Sequence, residues 1–198
     1  IYRTALGPNM ELMTTAEASG EYAATNADGS LLAVSDYTAG NGCNIEIFDT
    51  SSGNLNCSLS YEGEYYKDMF FAKVDGGVEL IVVTGDKIRR INPTSGTETA
   101  VIEPDEFELL GYIDSNGIGD YIYAVNNGNI AKYNYRTGES DILIEKEGIV
   151  RSDLYAVAND ETKIARLDRV NDSLEIIGSD GNIITTVTSL KESLGINT

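Results

Sequence analysis

The sequence predicts an all-β chain built from four tandem repeats of four short strands, on three observations. Gly53, Gly96, Gly138 and Gly181 stand 43, 42 and 43 residues apart. Each lies in a polar turn between two strand-like runs: DTSSGN at 49–54, NPTSGT at 92–97, YRTGES at 135–140 and GSDGNI at 178–183. The 198 residues include 20 Gly, 12 Tyr, 3 Pro and no Trp, a composition of many tight turns joining aromatic-bearing strands. A period of ~40–45 residues with several strands per period is the sequence signature of a β-propeller blade. The expected organisation is an N-terminal strand or blade remnant over 1–20, blades over 21–61, 62–104, 105–147 and 148–190, and a tail over 191–198. Such an array forms a ring of about four four-stranded antiparallel blades or is part of a larger ring.

Each repeat reads strand, turn, strand, loop, strand, turn, strand. The first strands are expected at 21–25, 69–74, 108–113 and 153–157. The second strands, 31–35, 80–84, 121–125 and 164–167, are nearly continuous in apolar residues, which predicts burial on both faces. The third strands show the repeat best. Ile45, Ile47 and Phe48 overlay Ile88, Arg90 and Ile91, then Ile130, Lys132 and Tyr133, while Glu46, Arg89 and Ala131 share a further position. The fourth copy, 173–177, keeps Leu174 and Ile176 but matches less well. Fourth strands follow at 55–59, 97–102, 139–144 and 182–188. Glycine suits the positive-φ position of each tight turn. TSLKESLG at 188–195 predicts at most one helical turn before Gly195.

The pattern of a β-run, then IEIFDTSSG at 45–53, then another β-run resembles the repeats of WD40-like, YVTN-type and quinoprotein-like propellers, over about residues 20–190. There is no Trp-Asp pair ending the third strand and no Gly-His pair, so the repeats depart from strict WD40 units. The absence of Trp argues against quinone-dependent dehydrogenases of similar fold. The resemblance implies a fold and leaves the activity open.

Composition narrows the partners. Against 32 acidic residues stand 14 basic ones, for a net charge of −18. That field repels nucleic acid and anionic membrane surfaces and attracts cationic groups, Ca²⁺ or basic protein surfaces. No apolar run reaches the ~20 residues of a membrane span. Without His, a Ser-His-Asp triad and Cys-His catalysis are excluded, and two thiols make a structural zinc site improbable. Cys43 and Cys57 flank one turn whose tight pairing sets Cys43 opposite a residue near 60, which disfavours a bridge between them. Ile1 in place of Met, few basic residues and abundant Tyr, Asn and Thr point to a processed or excised part of a larger exported bacterial protein, extracellular or at the cell surface.

By analogy with known propellers, the second-to-third and fourth-to-first connections gather on one ligand-binding face. The longest second-to-third connection, DYTAGNGCN at 36–44, offers Asp36, Tyr37 and Asn41. The fourth-to-first connections offer Glu62, Glu64, Glu103, Asp105, Glu106, Glu145 and Glu147 as an acidic rim. Asp114, Asn116 and Asp120 of DSNGIGD present alternating oxygen ligands for Ca²⁺, the one cofactor considered. The leading expectation is a non-enzymatic binding or scaffold propeller for a protein, peptide or glycan. The alternatives are a hydrolase or lyase working through clustered carboxylates or a metal, and a ligand-sensing ectodomain of a receptor or transporter. An array with open ends would also expose apolar blade faces and self-associate.

Overall fold

The computed structural model describes residues 2–6, 12–17, 20, 22–38, 42–64, 66–74, 77–84, 87–103, 112–113, 121–126, 128–146, 148–149, 153–158 and 160–188. Among them all regular structure is strand. The chain divides into two compact bodies, Ile1–Glu103 and Pro104–Thr198.

In the first body, β1 (Tyr2–Leu6) and β2 (Leu12–Glu17) form an antiparallel hairpin. Four strands, β3 (Tyr22–Thr25), β4 (Leu31–Thr38), β5 (Gly42–Asp49) and β6 (Leu55–Tyr61), then pair in chain order as one antiparallel sheet, repeat one. The next four, β7 (Tyr66–Val74), β8 (Gly77–Thr84), β9 (Lys87–Ile91) and β10 (Glu98–Ile102), do the same as repeat two. Side chains alternate across each sheet. Ala33, Ile47 and Cys57 lie in one cross-strand row and Ser35, Ile45 and Leu59 in the next, on one face; Val34, Glu46 and Ser58 lie on the other. The first of these faces, with Ile45 and Ile47 fully buried, packs on Met69, Leu80, Val82 and Ile91 of repeat two. Each such isoleucine contributes about 1.5–3 kcal/mol by leaving water. Tyr22 on β3 stacks on Tyr66 on β7, with ring centroids 4.8 Å apart. Apolarity on both faces of β4 and β8 is matched by burial of Leu32–Val34 and Leu80–Thr84.

In the second body, β11 (Tyr112–Ile113), β12 (Tyr121–Asn126), β13 (Asn129–Asn134) and β14 (Ser140–Ile144) form repeat three. Repeat four is β15 (Leu154–Val157), β16 (Lys163–Asp168), β17 (Ser173–Gly178) and β18 (Ile183–Thr188). The two are not separate sheets: β11 and β15 meet in parallel at Ile113 and Tyr155, which fuses them into one eight-stranded sheet. Tyr123, Val125, Ile130 and Ile144 of repeat three pack on Tyr155, Val157, Ile164 and Ile177 of repeat four. Here β16 departs from the expected two-sided burial. Ile164, Arg166 and Asp168 are buried, but Lys163 is exposed and Ala165 and Leu167 are only half-buried. Only its face toward repeat three is covered; on the other, Leu154 and Val187 are 54% and 45% exposed. Small antiparallel four-stranded sheets repeated along an all-β chain are compatible with a propeller-like fold.

The glycine period has a physical cause. Asp49, Asn92 and Asn134 each stand four residues before a periodic glycine. Each side-chain oxygen accepts two backbone N–H bonds, from Ser51 and Ser52, from Thr94 and Ser95, and from Arg136 and Thr137. The chain then needs a left-handed residue to rejoin the sheet, and Gly96 (φ 71°) supplies it. A Cβ at Gly96 would also sit 3.1 Å from the Cβ of Cys57 on repeat one. The turn of one repeat therefore rests on the last strand of the one before. At the same place in repeat four, a Cβ on Gly181 would lie 2.8 Å from the Glu145 carbonyl oxygen of repeat three. In repeat four Ile177 stands at the capping position, and the turn opens a residue later, with the Gly178 N–H donating to the Asn182 carbonyl. The poorer match of the fourth copy follows from that shorter turn.

Candidate functional site

Of the residues that the sequence nominates, Asn41, Asp105, Glu106 and Glu147 lie outside the described residues, as do Asp114, Asn116 and Asp120 of the calcium candidate and the tail from 189. Asp36 and Tyr37 are on β4, their backbones opposite Asn44 and Cys43. Glu62 and Glu145 are exposed. Glu64 and Glu103 are brought together, and neither carboxylate is unpaired. Lys87 on β9 lies 3.3 Å from Glu103 and 4.0 Å from Glu64.

Beside Lys87, Arg89 is the centre of a clasp between repeats one and two. Its guanidinium donates to Glu64 at 2.6 Å and to Glu98 at 3.1 Å, and lies 4.5 Å over the ring of Tyr61. The Thr84 hydroxyl also donates to Glu64. The Arg89 side chain is 8% exposed, so its charge depends on these partners for the solvation it has lost. Burial, then the charges of Glu64 and Asp36, push the nearby Cys43 thiol up to about 11. Cys43 stays a neutral, buried thiol at neutral pH. Both cysteines are free, because Cys43 pairs across the sheet with Tyr61 and Cys57 with Ile47.

Repeat one presents the same face in a different state. Gly53 and Gly96 set a shift of 43, so Asn44, Glu46 and Phe48 correspond to Lys87, Arg89 and Ile91. Cross-strand pairing then matches Asp36, opposite Asn44, to Thr84, opposite Lys87; likewise Val34 corresponds to Val82 and Leu32 to Leu80. On repeat one these positions line an open groove with Val34 at its apolar side and Asp36, Asn44, Glu46, Ser58 and Ser60 as its polar groups. Unlike Thr84, Lys87 and Arg89, these five side chains make no hydrogen bond or ion pair with any described residue. Asn44, Ser58 and Ser60 are exposed.

The second body holds two charge clusters paired internally. Glu161, in the β15–β16 turn, accepts from the Tyr123 hydroxyl at 2.7 Å and from Lys132 at 2.9 Å, tying repeat four to repeat three. Burial pushes its carboxyl up, but these two hydrogen bonds outweigh burial and hold it below its usual value. Lys132 in turn lies 4.6 Å over the Tyr121 ring. Arg166, 9% exposed, holds Asp153 at 2.7 Å, Glu175 at 3.3 Å and Asp168 at 3.4 Å. The alignment carried one signal of such clasps, the three cations Lys87, Arg89 and Arg90 within β9, with Arg89 at the position shared by Glu46 and Ala131. Glu161 and Arg166 carried none, since their partners come from other strands and turns.

Chemically, the groove presents two carboxylates, an amide and two hydroxyls. Every described carboxyl with a resolved shift, Asp28, Asp49, Asp160, Glu161, Asp168 and Asp180, is pulled down. Among the described residues no three acidic or sulfur groups are arranged to hold a metal ion. No protein-family model matches the chain, and no curated protein matches it.

Proposed function

We propose that this protein is a propeller-like binding module without catalytic activity, recognising a protein, peptide or glycan through the acidic surface of repeat one. The observation that carries this reading is the groove itself. Its five polar side chains make no hydrogen bond or ion pair with any described residue, whereas Arg89, Lys132 and Arg166 are clasped within or between repeats. A groove rim of oxygen acceptors suits hydroxyl-, amide- and ammonium-bearing ligands.

The test is a binding screen of the immobilised full chain against peptide and glycan arrays, in parallel with turnover assays on glycoside and uronate substrates. The expected result is binding that weakens as ionic strength rises, with no turnover. Turnover that disappears in Asp36→Asn or Glu46→Gln would refute the reading. So would arrays in which nothing binds.

A further inference from the structure

We infer that the face of repeat four turned away from repeat three is a dimer interface, on which a second copy of this chain packs about a two-fold axis. It is independent of the groove on repeat one. Cross-strand pairing sets Leu154, Leu167, Leu174 and Val187 in one unbroken row across the four strands, with Ala165 and Ile176 in the row beside it. Leu154 and Val187, at the two ends of the row, are 54% and 45% exposed. The same position is covered where another repeat packs on it. Because the repeat-four turn opens a residue later, Leu174 takes the place of Ile45 and Ile130. Those two are fully buried, Ile45 against repeat two and Ile130 against repeat four. What this position takes is therefore the aliphatic face of another sheet.

Charge, availability and area select a second copy as that sheet. The chain has 32 acidic residues, yet among the described residues this face carries Lys163 and no carboxylate, so two copies meet here without opposing their acids. The sheet faces of repeats one to three bury their aliphatic rows, as at Val34, Ile81 and Ile122. Among the described residues a second copy thus offers this same row as its open sheet face, and a face that meets itself closes about a two-fold axis. Four strands of five residues span about 19 Å by 17 Å. With their rims, two such faces bury on the order of 1,000 Å², the lower bound of a specific interface and enough for a weak dimer.

The test is sedimentation equilibrium of the full chain over a range of concentration and salt. The parent is expected to dimerise with a dissociation constant of about 10–100 µM. Raising ionic strength from ~0.05 M to ~0.5 M should tighten the dimer about three- to tenfold, because salt screens the repulsion between two copies of net charge −18. That trend is opposite to the one expected for ligands of the groove. Leu154→Lys with Val187→Lys should be monomeric throughout, although it lowers the net charge and with it the repulsion. Val101→Lys with Ile142→Lys makes the same change at exposed strand positions of repeats two and three and should dimerise like the parent. Circular dichroism checks that each variant folds. Should the lysine pair at 154 and 187 unfold the sheet, Leu154→Thr with Val187→Thr keeps strand propensity and should weaken the dimer about tenfold or more. A parent that stays monomeric at ~500 µM, a dimer unchanged by substitution at 154 and 187, a dimer lost equally in the control pair, or open-ended oligomers would each overturn the inference.

Discussion

Two faces of the first body, superimposable in register, end in opposite states. On repeat two, Thr84 donates to Glu64 and Lys87 and Arg89 ion-pair with it, with Tyr61 of the preceding strand against Arg89. On repeat one, the side chains of Asp36, Asn44 and Glu46 hold the same positions and make no hydrogen bond or ion pair with any described residue. The difference shows that a charge within a strand carries no meaning by itself. Its role is set by whether a connector from the neighbouring repeat reaches it. Where one does, the charge becomes part of the packing between sheets.

Five substitutions probe this contrast, the largest effect first. Ile45→Ala removes a fully buried side chain from the packing that both faces depend on. It should lower stability by about 2–5 kcal/mol, read from the urea midpoint. Arg89→Met strands Glu64 and Glu98, and since both keep some solvent the expected loss is about 1–3 kcal/mol. Glu46→Met at the equivalent site should stay within about 0.5 kcal/mol of the parent. Equal losses at the two positions would erase the distinction between clasp and open groove. Gly96→Ala meets both a left-handed backbone and Cys57, whereas Gly63→Ala meets the backbone penalty alone, with no atom within 4 Å of its Cβ. The first should cost about 1–3 kcal/mol and the second about 1; a reversed order would remove the turn-on-strand contact from the account of the glycine period.

The smallest effect is pH-dependent. Hydrogen bonds from Ser51 and Ser52 hold the Asp49 carboxyl down from 3.8 to about 2. A depressed folded value means that its contribution is complete above 3.8 and is lost as pH falls through about 2. The stability difference between the parent and Asp49→Ala should therefore shrink over that window. A difference that stays constant down to the acid limit would show that the turn does not depend on the carboxylate charge.

The strands were legible in unusual detail, and the misses have causes. β4 runs on to Thr38 and β7 begins at Tyr66, beyond the apolar runs, because pairing continues wherever a partner backbone is available even when the side chains turn polar. β16 reads as a two-sided buried strand, yet only its face toward repeat three is covered. Apolarity records what a face can bury, not whether a neighbour arrives. The groove was half visible. Asp36 was singled out from loop length, but Glu46, Ser58 and Ser60 were not, since they share the groove only through cross-strand pairing. Glu64 and Glu103 were read as an open acidic rim, and the structure gives both to Lys87 and Glu64 also to Arg89.

The order of strands, the sites of the turns and the repeat length were determined by the sequence alone, because alternation and positive-φ glycine are properties of a few adjacent residues. Which charges are consumed was decided only by the tertiary structure. Glu64 finds Arg89 across 25 residues and Glu161 finds Tyr123 across 38, and Coulomb attraction at such separations acts only after the sheets have stacked.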